Sequence, residues 1–174
     1  MTNKSFTRVL ALDLHPRRFG YVVVESPDRL LDWGVRSYRR EGNPRDALIH
    51  RRLKPLIEMW KPKFLVIRGA RTAPPKQRLM RQRFIKRVAA EAKKYRVCVR
   101  MGSGQLENLT KYENARRIAE HFPALKGRLP PKRKAWESEH YRMSIFTAAA
   151  LAIAQTLNES AAGWGSPNPP RAVA

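Results

Sequence analysis

Asp13 is the residue of this sequence best placed to do chemistry, because it closes an otherwise apolar stretch, Val9-Leu-Ala-Leu-Asp-Leu14. A carboxylate at the end of a buried strand is costly unless it binds something. Asp13 therefore predicts a ligand, with turn capping or an arginine partner as the structural alternative. The four histidines, His15, His50, His121 and His140, show no metal-ligand spacing. His15 follows Asp13 by two residues, but Pro16 ends the strand there, so the spacing predicts a turn histidine that can touch phosphate.

Cationic side chains are the other chemical resource. The 174 residues include 36 Lys and Arg against 14 Asp and Glu, a formal charge of +22. A field of that size and sign suits a polyanion, and nucleic acid is the commonest one. Between Arg71 and Arg100 there are eleven Lys or Arg and one acid, Glu91. Such a run gains little from internal pairs and is better explained by phosphates. Arg17, Arg18, Arg71, Lys76, Arg78, Arg81 and Arg83 are the expected backbone contacts. The loop bearing Lys126, Arg128, Lys132, Arg133 and Lys134 is expected to join them. The charge is spread along the chain rather than gathered on one amphipathic helix, which argues against a membrane surface. Phe19, Tyr38 and Trp136 lie near basic residues and could stack on bases, although core packing suits Phe19 and a helix-start staple suits Trp136.

These residues need elements to position them. The length fits one domain. Thr7–Leu14, Phe19–Glu25 and Leu30–Tyr38 read as three consecutive antiparallel strands. From Pro44 the period changes, and Ala47, Leu48, Leu53, Leu56, Ile57 and Trp60 share one side of a helix that Asn43 could cap and Pro55 could kink. A short strand Lys63–Ile67 follows. A helix from Pro74-Pro75 to about Tyr95 carries Met80, Phe84, Val88 and Ala92 on its apolar stripe. Then come a strand Arg96–Met101, a helix Thr110–Phe122, and a long helix Trp136–Leu157. This order predicts an α/β domain over 1–158, one mixed sheet with helices on its faces, and a disordered tail over 159–174. The single cysteine, Cys98, sits between valines and reads as a buried thiol in a reducing compartment. With no apolar N-terminal signal, and with an apolar run at Ile145–Ala154 too short for a bilayer, a cytoplasmic protein is expected.

The same order resembles the ribonuclease H-like fold, and its landmarks resemble the RuvC-type Holliday-junction resolvases and their relatives in ribosomal RNA processing. The stretch Val9 to Val24, with Asp13 and Gly20, is similar to that family's first hairpin. Lys63–Gly69 resembles its fourth strand, and Ala148–Ala154 its alanine-rich closing helix. The resemblance implies a mixed five-stranded sheet, three antiparallel strands then two parallel, and Mg²⁺-dependent cleavage of branched DNA or structured RNA by several converging carboxylates. It also implies a homodimer, although nothing in the sequence marks a dimer seam.

Asp13 matches the family's first acid and would be a metal ligand in an active enzyme. The glutamate that the family carries at the end of the fourth strand is replaced by Arg68. No acid lies between Ser144 and Asn158, where the closing helix would supply others. Glu137 and Glu139 remain upstream as the alternative catalytic acids. On a continuous helix Glu139 would stand two turns from Thr147, about 12 Å, and stabilising the helix N-terminus is its simpler role. The expectation is thus a nucleic-acid-binding protein with reduced or absent nuclease activity, in which Arg68 takes the place of Mg²⁺, pairs with Asp13 and holds a phosphate. The alternatives are an active Mg²⁺-dependent endonuclease using Asp13 with Glu137 or Glu139, and a basic structural component of a nucleoprotein assembly.

Overall fold

Three short meandering strands are the local part of the fold. β1 (Val9–Leu14), β2 (Arg18–Ser26) and β3 (Arg29–Ser37) pair antiparallel in sequence order. β4 (Phe64–Arg68) then pairs with β1 and β5 (Cys98–Gly102) with β4, both parallel, giving the order β3-β2-β1-β4-β5. This architecture comes from a computed structural model, which describes residues 7–37, 51–106 and 108–162.

Every residue of β1 is buried, because both faces of the sheet are covered, and that is why the strand reads as an unbroken apolar run. Alternation divides it. Val9 and Ala11 join a core under α3 (Lys111–His121) and α4 (Met143–Ala162), whereas Leu10, Leu12 and Leu14 join one under α1 (Lys54–Trp60) and α2 (Pro75–Lys94). No described helix is long and apolar enough to cross a membrane.

Several expectations shift. Pro55 falls at the start of α1, directly after a π-helical turn over 51–53, so the helix changes its hydrogen-bond pitch next to the expected proline. The part of that helix expected over 44–50, with its cap Asn43, lies outside the described residues, as does Tyr38. On α2 the buried stripe holds Phe84, Val88 and Ala92 as expected, with Arg81 in place of Met80, which is 38% exposed. Cys98 is half-buried against the α3 and α4 core rather than fully enclosed.

The largest shift is at the closing helix, which begins at Met143 rather than Trp136 and runs on to Ala162. Residues 131–138 are all exposed, so a helix there would bury nothing. A tight loop replaces it. The Glu137 carboxylate accepts from the Lys134 backbone N–H at 2.9 Å, and the Glu137 N–H donates to the Lys134 carbonyl at 3.1 Å. Trp136 is 80% exposed and so staples nothing.

Gly20 lets α4 approach the sheet. A Cβ there would lie 2.5 Å from the backbone carbonyl carbon and oxygen of Ser144, closer than any side chain could be tolerated. Gly20→Ala is therefore expected to destabilise the fold by about 1–3 kcal/mol through overpacking. Urea denaturation of the variant at neutral pH checks this, and an unchanged midpoint would show that α4 can lift without cost.

Candidate functional site

The register of the sheet lays one row of residues across it at the level of Asp13. Val35 of β3 faces Gly20 of β2, Gly20 faces Asp13 of β1, and Arg68 of β4 faces Gly102 of β5. β1 and β4 pair as far as Leu12 with Ile67, which makes Asp13 and Arg68 the next neighbours across the parallel strands.

Asp13 is wholly buried. Its Oδ1 accepts from Nη1 of Arg68 at 3.4 Å, and its Oδ2 accepts from Nε2 of His15 at 2.9 Å. The Arg68 side chain is 11% exposed, and its Nε is buried with no acceptor among the described residues. Arg81, 6% exposed, reaches in electrostatically from α2. Burial alone would raise the Asp13 carboxyl, but the His15 hydrogen bond and the charges of His15, Arg68 and Arg81 outweigh it and hold the carboxyl below its ordinary 3.8. Burial pushes the Arg81 guanidinium down; Asp13 opposes that fall and Arg68 adds to it.

Beside the pair, Arg68, Gly104, Lys111, Asn114 and Thr147 line a cavity of about 30 Å³. That is room for a water molecule or a small ion. Gly104 has φ +76°, and a Cβ on it would lie 2.5 Å from the Thr147 methyl. The backbone turns there in a way that only glycine adopts at no cost.

A divalent cation does not fit this donor set. Mg²⁺ needs several hard oxygen donors in near-octahedral array. Here the one carboxylate is already engaged on both oxygens, and a guanidinium stands where a second acid would have to be. Among the described residues no three His, Cys, Asp or Glu side chains come together as metal ligands.

The other sequence candidates are dispersed. Glu139 precedes α4 instead of riding on it, and its Oε2 accepts from Nζ of Lys111 at 2.5 Å. Its link to the cavity runs through that lysine. Glu137 is consumed by the Lys134 loop, whose Arg133 also donates to the Glu137 carbonyl. Arg17, Arg71, Lys76, Arg78, Arg83, Lys132, Arg133 and Lys134 are exposed and Arg18 half-buried, as surface contacts need. Arg78 also donates to the Ala73 carbonyl. Arg81 is not on that surface but belongs to the buried charge cluster.

Two members of the cluster escaped sequence reasoning in these roles. His15 stands in the turn between β1 and β2, as expected, and its ring folds back onto Asp13 at a tight hairpin end, where the His15 N–H donates to the Arg18 carbonyl at 2.9 Å. Arg81 had a usable signal, its spacing of three and seven from Phe84 and Val88.

No family model matches the chain, and no curated protein matches it. Solved structures do. RuvC of T. thermophilus in complex with a Holliday junction substrate aligns with TM-score 0.64 at 16% identity, over 90% of this chain and 96% of that one. The fowlpox virus resolvase, in complex with Holliday junction DNA, aligns with TM-score 0.55 at 9% identity, over 88% and 99%. The yeast mitochondrial Holliday junction resolvase aligns with TM-score 0.51 at 14% identity, over 87% and 78%. The chain has a RuvC-like, ribonuclease H-like fold.

Proposed function

We propose that the chain binds branched DNA through its phosphodiester backbone, with nuclease activity reduced or lost. The observation that carries this reading is the state of Arg68. It stands beside the strand-end aspartate with a long bond to that carboxylate and a buried Nε lacking an acceptor among the described residues. With one long bond the guanidinium keeps donors for a phosphate oxygen at its exposed edge, and guanidinium groups suit phosphate better than any other cationic side chain. The exposed cations Lys76, Arg78 and Arg83 on one helix and Lys132 to Lys134 on the loop add further sites for the same chemistry on the surface. The four-way junctions in complex with two of the structural neighbours make branched DNA the first ligand to try, with structured RNA as a comparison.

The test is a salt titration of junction, linear-duplex and structured-RNA binding, with a parallel cleavage assay in Mg²⁺ and Mn²⁺. Engagement of six to ten phosphates should cost roughly 10³- to 10⁵-fold in affinity between 50 and 200 mM salt. Strands should remain intact, or be cut only slowly. A flat salt dependence would count against the reading, and so would rapid metal-dependent cutting that Asp13→Asn abolishes.

A further inference from the structure

At the other end of the residue row, beyond Gly20, a cleft of about 300 Å³ opens between the edge strand β3 and the chain entering α4. Trp33 and Gly34 form its strand side, and Arg128, Tyr141, Arg142 and Ile145 form its helix side. Its size is at the lower end of the range for small-molecule sites, roughly 300–1,000 Å³. Among the described residues no carboxylate lines it. The Tyr141 ring is held in place: His140 stacks on it with centroids 4.7 Å apart, and Arg142 donates from Nε to its hydroxyl at 3.2 Å. The Arg142 guanidinium lies 5.6 Å from the centre of that ring. Trp33 is half-buried, its inner edge packed on the α3 and α4 core.

Two rings and two guanidinium groups around a cleft of this volume match one ligand class well. We propose that this cleft seats an unpaired nucleotide, its base against Trp33 and Tyr141 and its phosphate at Arg128 and Arg142. The inference rests on the DNA-binding reading above and adds a site to it. β3 lies three strands from β4, which carries Arg68, about 14 Å along the sheet. One strand of a DNA branch could therefore place a phosphate at Arg68 and an extruded base in the cleft. A neutral apolar ligand would leave two cations unmatched. An acidic peptide would supply the charge but has less use for two aromatic rings, since bases stack on such rings whatever their sequence.

The experiment uses the full chain with two fluorescent DNAs, a junction carrying 2-aminopurine at an unpaired position of the branch and a fully paired linear duplex carrying it internally. Binding of the junction should quench the probe in the wild type. Tyr141→Ala removes an exposed ring with no core role, and Trp33→Leu keeps apolar volume at the sheet edge. Each should abolish the quench and weaken junction binding roughly 5- to 150-fold, the range of one base stack, while duplex affinity stays within twofold. Equal losses on both DNAs, or no loss on either, overturn the cleft assignment and leave backbone binding intact. Competition by an acidic peptide but not by a single-stranded oligonucleotide overturns it as well. A wild-type chain that binds neither DNA overturns both readings.

Discussion

Asp13→Asn is expected to do two things at once: weaken the fold by about 3 kcal/mol and tighten DNA binding about tenfold. Removing one partner of a buried ion pair leaves the other charge uncompensated, which costs about 3–5 kcal/mol, and the lower figure applies because Arg68 and His15 keep some contact with water. The same change frees Arg68 and Arg81 from an internal competitor, so a phosphate meets more unneutralised charge. In a metal nuclease the substitution would instead remove a ligand and abolish cutting. The stability effect also has a pH signature. The folded carboxyl lies below its ordinary 3.8, so its charge stabilises the wild type at all pH above about 4 and that contribution disappears as pH falls through the folded value. Urea midpoints at pH 7 should differ widely between wild type and variant and converge as the pH falls through the lowered folded value of Asp13. A gap that persists in acid would mean that Asp13 acts by packing instead of charge.

Arg68→Glu has the opposite logic and a comparable size. Two carboxylates would then face each other across β1 and β4, each raising the other's pKa, and the apo fold should lose about 3–5 kcal/mol. The loss should be recoverable. With a carboxylate on each of two neighbouring strands and His15 on the first, the variant has a donor set that Mn²⁺ can use, and ligand binding stabilises the folded state by mass action. Thermal melts should show the variant gaining several degrees with Mn²⁺ and the wild type gaining none. Junction affinity of the metal-free variant should fall more than tenfold. A wild type that responds to Mn²⁺ as strongly as the variant would remove the case for Arg68 as the reason no metal fits.

The sequence made much of this legible for reasons that can be named. β1 and β4 are apolar runs because both sheet faces are covered, and Asp13 and Arg68 stand out at their ends as the first charges after those runs. Their meeting at 3.4 Å follows from the parallel register. What was hidden depended on local geometry. His15 reaches Asp13 because the hairpin turns within three residues, and a strand-facing rule stops applying at Pro16. Arg81 is hidden because either Met80 or Arg81 can continue the stripe of Phe84, Val88 and Ala92, and the longer cationic stem can bury its methylenes while its charge acts on Asp13. The start of α4 was misplaced because acids at Glu137 and Glu139 are what a helix N-terminus favours. The chain spends one on the Lys134 loop and the other on Lys111.

The central position of β1 has a mechanical consequence. A strand hydrogen-bonded on both sides and covered on both faces opens only when the whole domain does, so its amides should be among the last to exchange with deuterium. Asp13 therefore has almost no compliance. Whatever shape change accompanies complex formation has to come from the nucleic acid, whose branch point is the softer body, and sequences that kink easily there should be favoured without any base being read.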